Sequence, residues 1–320
     1  GASPAAGAER PSPDAVQPER RTVVTAPGPA LILSIGWRSV PVARWIATRS
    51  QAKVVALGRP RAPLDVFDLI LTTPQYGLPP APNVVELAAP VTAIDAAARE
   101  AAATIWRPRL QALPRPWIAV LAGGDAPPFH LSAEAAERLR RDSVHLADSL
   151  GGSLLVATSP RTSAAAEAAL LADIPVPHHR FAYSEGGDNP YRGYLALADE
   201  IVVTTDSVSM IFEAAATGKP LHLFTVPRRG AWVLRTLEAL DTRARASDGV
   251  LHRSYFAAVR GGWLSPPRRP DLATQQLLAS GQAVVLGNGR PRQRPALESS
   301  RERAVRAVVE LLKTSSGPSF

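Results

Sequence analysis

The stretch Glu200-Ile201-Val202-Val203-Thr204-Thr205-Asp206-Ser207-Val208-Ser209-Met210-Ile211-Phe212-Glu213-Ala214-Ala215-Ala216-Thr217-Gly218-Lys219-Pro220 decides how the chain is read. Ile201 to Thr204 is a short β-branched run suited to a buried parallel strand. Thr205 to Ser209 is polar and rich in residues that cap helices. Met210 to Thr217 predicts a helix, ended by Gly218 and barred from continuing by Pro220. Leu221 to Phe224 starts another strand. The result is strand, turn, helix, strand, with a polar turn at the carboxyl end of a strand. That is where open α/β sheets bind ligands.

Within this unit Asp206, Ser209 and Glu213 are spaced i, i+3, i+7, which predicts one shared helix face. Met210, Ile211, Ala214 and Ala215 form the apolar side. Glu213 fits a capping box from neither Ser207 nor Ser209, so it has no evident local structural task. A carboxylate at that depth suits a ribose diol. The amides and hydroxyls at Ser207 and Ser209 suit a diphosphate. A capped, solvated amphipathic helix fits the same spacing equally well.

Outward from this unit, the chain alternates strand with helix or loop, the pattern of parallel sheets. Strands are expected at Ala30–Ile35, Lys53–Leu57, Phe67–Thr72, Asn83–Leu87, Trp117–Leu121, Ser153–Thr158 and Arg180–Tyr183. Helices are expected at Pro41–Arg49, Ile94–Leu110, from the Ser132 cap to Leu150, Tyr191–Ala198 and Ala296–Lys313. Gly123-Gly124-Asp125 follows Leu121 at once, and two glycines there allow close backbone approach to an anion. Ser159-Pro160-Arg161 sits at another strand end, where Arg161 is a candidate phosphate ligand or an ordinary surface arginine. Asn189 either caps the Tyr191 helix or binds ligand, and capping is the more common role. The proline-stiffened loop after Thr73 is expected to expose Gln75 and Tyr76 at a strand end, as a cleft wall or a rigid connector.

The boundaries expected are a flexible tail over 1–29, an N-terminal Rossmann-like domain over 30–113, a C-terminal one over 114–295, and a terminal helix with a frayed end over 296–320. The 320 residues carry a net charge of +8, and Lys appears only at Lys53, Lys219 and Lys313. The absence of cysteine rules out disulfides and zinc-thiolate sites. No H-E-x-x-H or other metal spacing appears, so no metal is expected. No aromatic-basic RNA signature appears, so no nucleic-acid partner is expected. With no run of membrane-spanning length and no signal pattern, the default is a cytoplasmic protein. Arginines interleaved with aromatics from Pro227 to Arg269 suit an anionic membrane or an acceptor phosphate; a solvated basic helix face accounts for them better.

The central stretch resembles the nucleotide-sugar half of GT-B glycosyltransferases. More closely, Thr204-Thr205-Asp206-Ser207-Val208-Ser209-Met210, Asn189-Pro190-Tyr191 and Thr73-Pro74-Gln75-Tyr76-Gly77 with Pro82-Asn83-Val84 resemble the mitochondrial fission family named for elongated mitochondria (ELM-like). The similarity runs from about Ala30 to the C-terminus. It implies two Rossmann-like domains with parallel sheets and a cleft between them. GT-B proteins carry a further strand, Gly-rich loop and helix ahead of the matched region. Nothing in Gly1 to Pro29 resembles these, so the resemblance implies either a natural short variant or a chain that lacks its front end.

The function implied is transfer of a sugar from a nucleotide-diphosphate donor to a lipid or envelope acceptor, with no cofactor beyond that donor. Glu213 would bind ribose. Gly123, Gly124, Ser159, Arg161, Asn189, Ser207 and Ser209 would line the donor site, with Asp206 positioning the turn. Arg38, Gln75 and Tyr76 would face the acceptor. The catalytic base stays open, with Asp125 and Arg38 as candidates. Two alternatives remain: a non-catalytic adaptor in membrane fission, and a nucleotide-sugar epimerase using a similar pocket.

Overall fold

Each apolar run that forms a strand joins one of two sheets, and every pairing between these strands is parallel. The computed structural model describes residues 28–91, 96–230, 232–291 and 300–315. The expected N-terminal tail falls almost wholly outside these residues. In chain order the elements are β1 (Leu31–Ile35), α1 (Val40–Ser50), β2 (Lys53–Leu57), β3 (Leu69–Thr72), β4 (Val84–Glu86) and α2 (Ala96–Leu110). There follow β5 (Trp117–Leu121), α3 (Ala133–Leu150), β6 (Ser153–Ala157), α4 (Ala164–Leu171), β7 (His178–Phe181) and α5 (Tyr191–Leu197). Then come β8 (Glu200–Thr204), α6 (Val208–Ala215), β9 (Leu221–Phe224), α7 (Trp232–Arg245), α8 (Val250–Arg260), α9 (Asp271–Ala279), β10 (Val284–Val285) and α10 (Ser300–Ser315).

The chain divides into two compact units. One takes the residues up to Ala88, Thr236–Arg268 and those from Arg301; the other takes Ala89–Arg235 and Arg269–Ser300. The first unit holds the sheet β1-β2-β3-β4. On one face Val54, Ala56 and Ile70 meet Val40 and Ala43 of α1 and Tyr255, Phe256 and Val259 of α8. On the other, Val55, Leu69 and Leu71 meet Ala304 of α10. Adjacent residues of one strand thus face opposite cores, which is why β2 and β3 read as unbroken apolar runs.

The second unit holds the sheet β10-β9-β8-β5-β6-β7. Numbered within the unit, this order is 6-5-4-1-2-3, the doubly wound nucleotide-binding order 3-2-1-4-5-6 read from its other edge. Trp117, Ala119 and Leu121 of β5 pack with α2, α5, α6 and α9. Ile118 and Val120 pack with α3 and α4 on the opposite face. The strand order reverses between β5 and β8, which lie side by side and parallel.

Local signals account for both ends of α3. Ser132 Oγ accepts from Ala135 N–H at 3.2 Å, and Gly151 closes α3 at φ 62°. Many ends differ from expectation by a residue or more, and two of the differences have a plain local cause. The seventh strand starts at His178 rather than Arg180, because pairing with Leu154–Ala157 sets its register. Helix α6 stops at Ala215, three residues before Gly218, and Thr217 Oγ1 donates to Ala214 O at 2.6 Å where the helical ladder ends. The sequence reading missed α4, α9 and β10 and gave no bounds for α7 and α8.

Candidate functional site

The turn after β8 crosses to the turn after β5. Gly123 N–H donates to Thr204 Oγ1 at 2.8 Å, and Gly124 N–H donates to Asp206 Oδ2 at 3.0 Å. A Cβ on Gly123 would overlap the Asp206 carboxylate, and one on Gly124 would overlap Arg161 O. Glycine is needed at both positions for close approach. The turn after β6 closes the cluster. Ser159 Oγ and Thr162 Oγ1 both donate to Gly123 O, and Asp125 N–H donates to Arg161 O at 2.9 Å.

Asp206 is the hub. Its side chain is 0% exposed and pairs with Arg161 at 3.0 Å. Burial raises its pKa from the ordinary carboxylate value, against the opposing pull of Thr204, Arg161 and Gly124. Two expectations are corrected here. Asp206 does not share a helix face with Ser209 and Glu213: it precedes α6 and turns in toward the glycines, because Gly124 N–H and Arg161 hold it there. Arg161 is not a free surface cation; it is the partner of that buried carboxylate.

Helix α6 starts immediately beyond. Ser207 stands at its N-cap with no side-chain capping bond, and Ser209 is exposed in the first turn. The N–H groups of that turn face the same edge as the glycines, and a helix start of this kind favours an anion. Glu213 is half-buried on the second turn and does have a structural partner: Tyr191 Oη donates to it. Burial raises the Glu213 pKa, with Tyr191 and Arg192 acting against it. Asn189 Oδ1 accepts from Tyr191 N–H at 2.9 Å, a capping contact that steadies the start of α5 and so the tyrosine.

Asp125 stands exposed at the end of the Gly-Gly turn. His130 Nδ1–H donates to Asp125 Oδ1 at 2.9 Å, and Leu131 N–H reaches the same oxygen at 3.2 Å. Arg229 NH1 lies 3.5 Å from His130 Nε2. With its proton on Nδ1, His130 accepts from Arg229 at Nε2, so that nitrogen can take up a proton only when the Arg229 contact opens. The sequence reading did not single out His130, whose loop is closed by Ala126 and Phe129 and tied by His130 N–H to Pro227 O beyond β9.

The remaining candidates lie in the first unit. Arg38 is exposed, with its guanidinium 5.4 Å from the Trp37 ring centre. Gln75 was expected at the surface but is buried. Its carboxamide is taken up by Thr73 Oγ1 at 3.2 Å and Arg268 Nε at 2.9 Å. Tyr76 is half-buried, its ring lying close against Gly58. Among the described residues, no group of three His, Cys, Asp or Glu side chains is placed to hold a metal ion. No helix among them is long and apolar enough to cross a membrane.

Fold and edge together define a protein with a doubly wound parallel unit whose Gly-Gly turn meets a helix start at the switch point. The chain belongs to the family described as Mitochondrial fission ELM1, whose model matches residues 5–305. It is 28% identical over 222 residues to the mitochondrial fission protein ELM1 of Arabidopsis thaliana, covering 61% of this chain. That match takes in 51% of the plant protein, so the chain spans about half the length of this curated relative. Among solved structures it is similar to UDP-GlcNAc 2-epimerase from Methanocaldococcus jannaschii, at TM-score 0.43 and 13% identity over 88% of this chain and 77% of that one. It is also similar to MurG of Acinetobacter baumannii, at TM-score 0.32 and 14% identity over 78% of this chain and 73% of that one.

Proposed function

We propose that the chain binds a nucleoside-diphosphate sugar at the carboxyl edge of the second sheet and transfers the sugar to a lipid or cell-envelope acceptor. The observation that carries this reading is the meeting of Gly123–Gly124 with Asp206–Ser207 at the switch point of the doubly wound sheet. The diphosphate lies over the Gly-Gly turn and the first turn of α6, with Ser207, Ser209 and Ser159 beside it. Glu213, steadied by Tyr191, accepts from the ribose hydroxyls. Asp206 and Arg161 hold the turns in register, and Asn189 supports Tyr191 from the start of α5.

In the transfer step the acceptor oxygen bonds to the anomeric carbon, and the bond from that carbon to the diphosphate oxygen breaks. The acceptor proton passes to a base, for which the Asp125–His130 pair is the candidate. The helix start and neighbouring basic groups take up the charge on the leaving diphosphate, so no metal is required. Arg38 and Tyr76 are assigned to the acceptor side, with Gln75 behind them as the partner of Arg268. A cytoplasmic protein lying peripherally at the inner membrane fits such an acceptor.

A panel of nucleoside diphosphates and nucleotide sugars, followed by thermal shift, tests the donor site. The expected result is stabilisation by one base in wild type, lost in Glu213→Ala and reduced in Tyr191→Phe. A folded protein that no nucleotide stabilises contradicts the proposal.

A second reading, a non-catalytic adaptor, is favoured by a different observation. Helices α7 and α8 expose Leu237, Leu240, Val250 and Leu251 among arginines, and Trp263 beyond α8 is 90% exposed. Where such side chains form one continuous patch, they mark an interaction surface. Under that reading, the protein captures a partner through α7 and α8 whether or not nucleotide is bound.

A further inference from the structure

We propose that the carboxyl edge of the first unit's sheet binds a phosphate or diphosphate group through Arg38, Arg59, Arg61 and Arg268. The site itself is argued from the first unit alone. Its use as the acceptor site rests on the transfer reading above.

The topology gathers these arginines. Strands β1, β2 and β3 are neighbours and parallel, so the loops that follow them share one edge. The first loop carries Trp37 and Arg38, the second Arg59 and Arg61, the third Tyr76. Arg61 and Arg38 flank one ring, at 5.8 and 5.4 Å from the Trp37 centre. Arg268 comes in from the segment after α8, donates to Gln75 Oε1 at 2.9 Å, and lies 5.8 Å from the Tyr76 centre. Arg59 sits between the two groups, partly buried, and donates to Pro266 O.

Among the described residues, no carboxylate forms an ion pair with this cluster. Within the same unit Asp241 is already taken by Arg245 at 2.9 Å. Burial first, and then the charges of Arg61 and Arg268, lower the Arg59 pKa. Like charges crowded into a half-buried edge repel one another, and an anion with several oxygens removes that repulsion while accepting from the guanidinium forks. Arg61 also holds φ 52°, a left-handed backbone that is uncommon outside glycine. Trp37 and Tyr76 supply apolar walls on either side.

The test is calorimetric titration of the full chain with inorganic pyrophosphate, in a Ser209→Glu background that blocks anions at α6. The side chains of Arg38 and Arg61 are exposed, so Arg38→Gln/Arg61→Gln leaves the fold intact and is the informative variant. The expected result is pyrophosphate binding in the Ser209→Glu protein, weakened about tenfold or more by the arginine changes. Unchanged affinity in the arginine variant, equal heats from chloride at matched ionic strength, or no binding at all overturns the site. Nucleoside-diphosphate binding by wild type then still decides the donor reading on its own. Sedimentation with phosphatidylcholine vesicles, with and without phosphatidic acid, identifies the source of the phosphate. Arginine-dependent sedimentation supports the site with a lipid-borne phosphate, and pyrophosphate binding without sedimentation supports it with a soluble one.

Discussion

Gly123 and Gly124 are glycines because Asp206 and Arg161 O occupy the space a Cβ would need. Replacing Gly124 by alanine should therefore cost about 2 kcal/mol, the ordinary cost of overpacking a tight site, and chemical denaturation measures it. The glycine pair was legible in the sequence as a turn of close approach. What it approaches was not, since Asp206 and Arg161 arrive from strands far along the chain. Glu213 shows the same limit. Its spacing ruled out a local cap, but its partner Tyr191 lies 22 residues earlier and meets it only across α5 and α6. Gln75 looked exposed because its loop is rich in proline, yet two hydrogen bonds draw it inside. Local pattern shows which residues lack a nearby task; it does not show which distant group supplies one.

At the scale of elements, contacts to the buried Glu200 carboxylate fix how strands join. Glu200 at the start of β8 takes His222 Nε2 of β9 at 2.9 Å, and Arg290 Nε beyond β10 at 2.7 Å. Burial pushes the Glu200 pKa up, but hydrogen bonds and charge from His222 and Arg290 outweigh it and hold the pKa below the usual carboxylate value. A depressed carboxylate stabilises the fold above its unfolded pKa and loses that contribution as pH falls through the folded one. Glu200→Ala should cost about 3 kcal/mol at neutral pH. Its deficit relative to wild type should shrink in acid, read from urea denaturation at several pH values.

Lys219 gives a pH dependence of the same sign in the alkaline range, from a different cause. Its Nζ donates to Leu195 O at 2.9 Å and Ala196 O at 2.6 Å, satisfying carbonyls at the end of α5. Burial lowers its pKa from 10.5 to about 8. Between those values the unfolded chain holds a proton that the folded chain has released, so this group makes stability rise with pH across that window. Denaturation of Lys219→Met at successive pH values should lack that rise.

On the scale of the whole molecule, the parallel sheets were legible because strands buried on both faces read as apolar runs without alternation, as in Val202 and Val203 facing opposite cores. The strand order was not legible. No local signal says that β8 lies beside β5 rather than β7, and only that adjacency brings Asp206 to Gly124. The turns that bear the candidate chemistry were each visible in sequence; their meeting is a property of the sheet.

The central claim is that a diphosphate lies over the first turn of α6 and the Gly-Gly turn. Ser209→Glu tests it most directly, because two effects of opposite sign separate. A carboxylate in the first turn of a helix favours the helix dipole, so thermal stability should hold or rise by about 0.5 kcal/mol. The same charge repels a diphosphate, so the affinity for nucleoside diphosphate should fall about tenfold or more, most strongly at low salt. Calorimetric titration of wild type and Ser209→Glu with the nucleotide that stabilises wild type reads both affinities. Equal affinity in the two proteins would contradict the account and remove the diphosphate from the α6 edge.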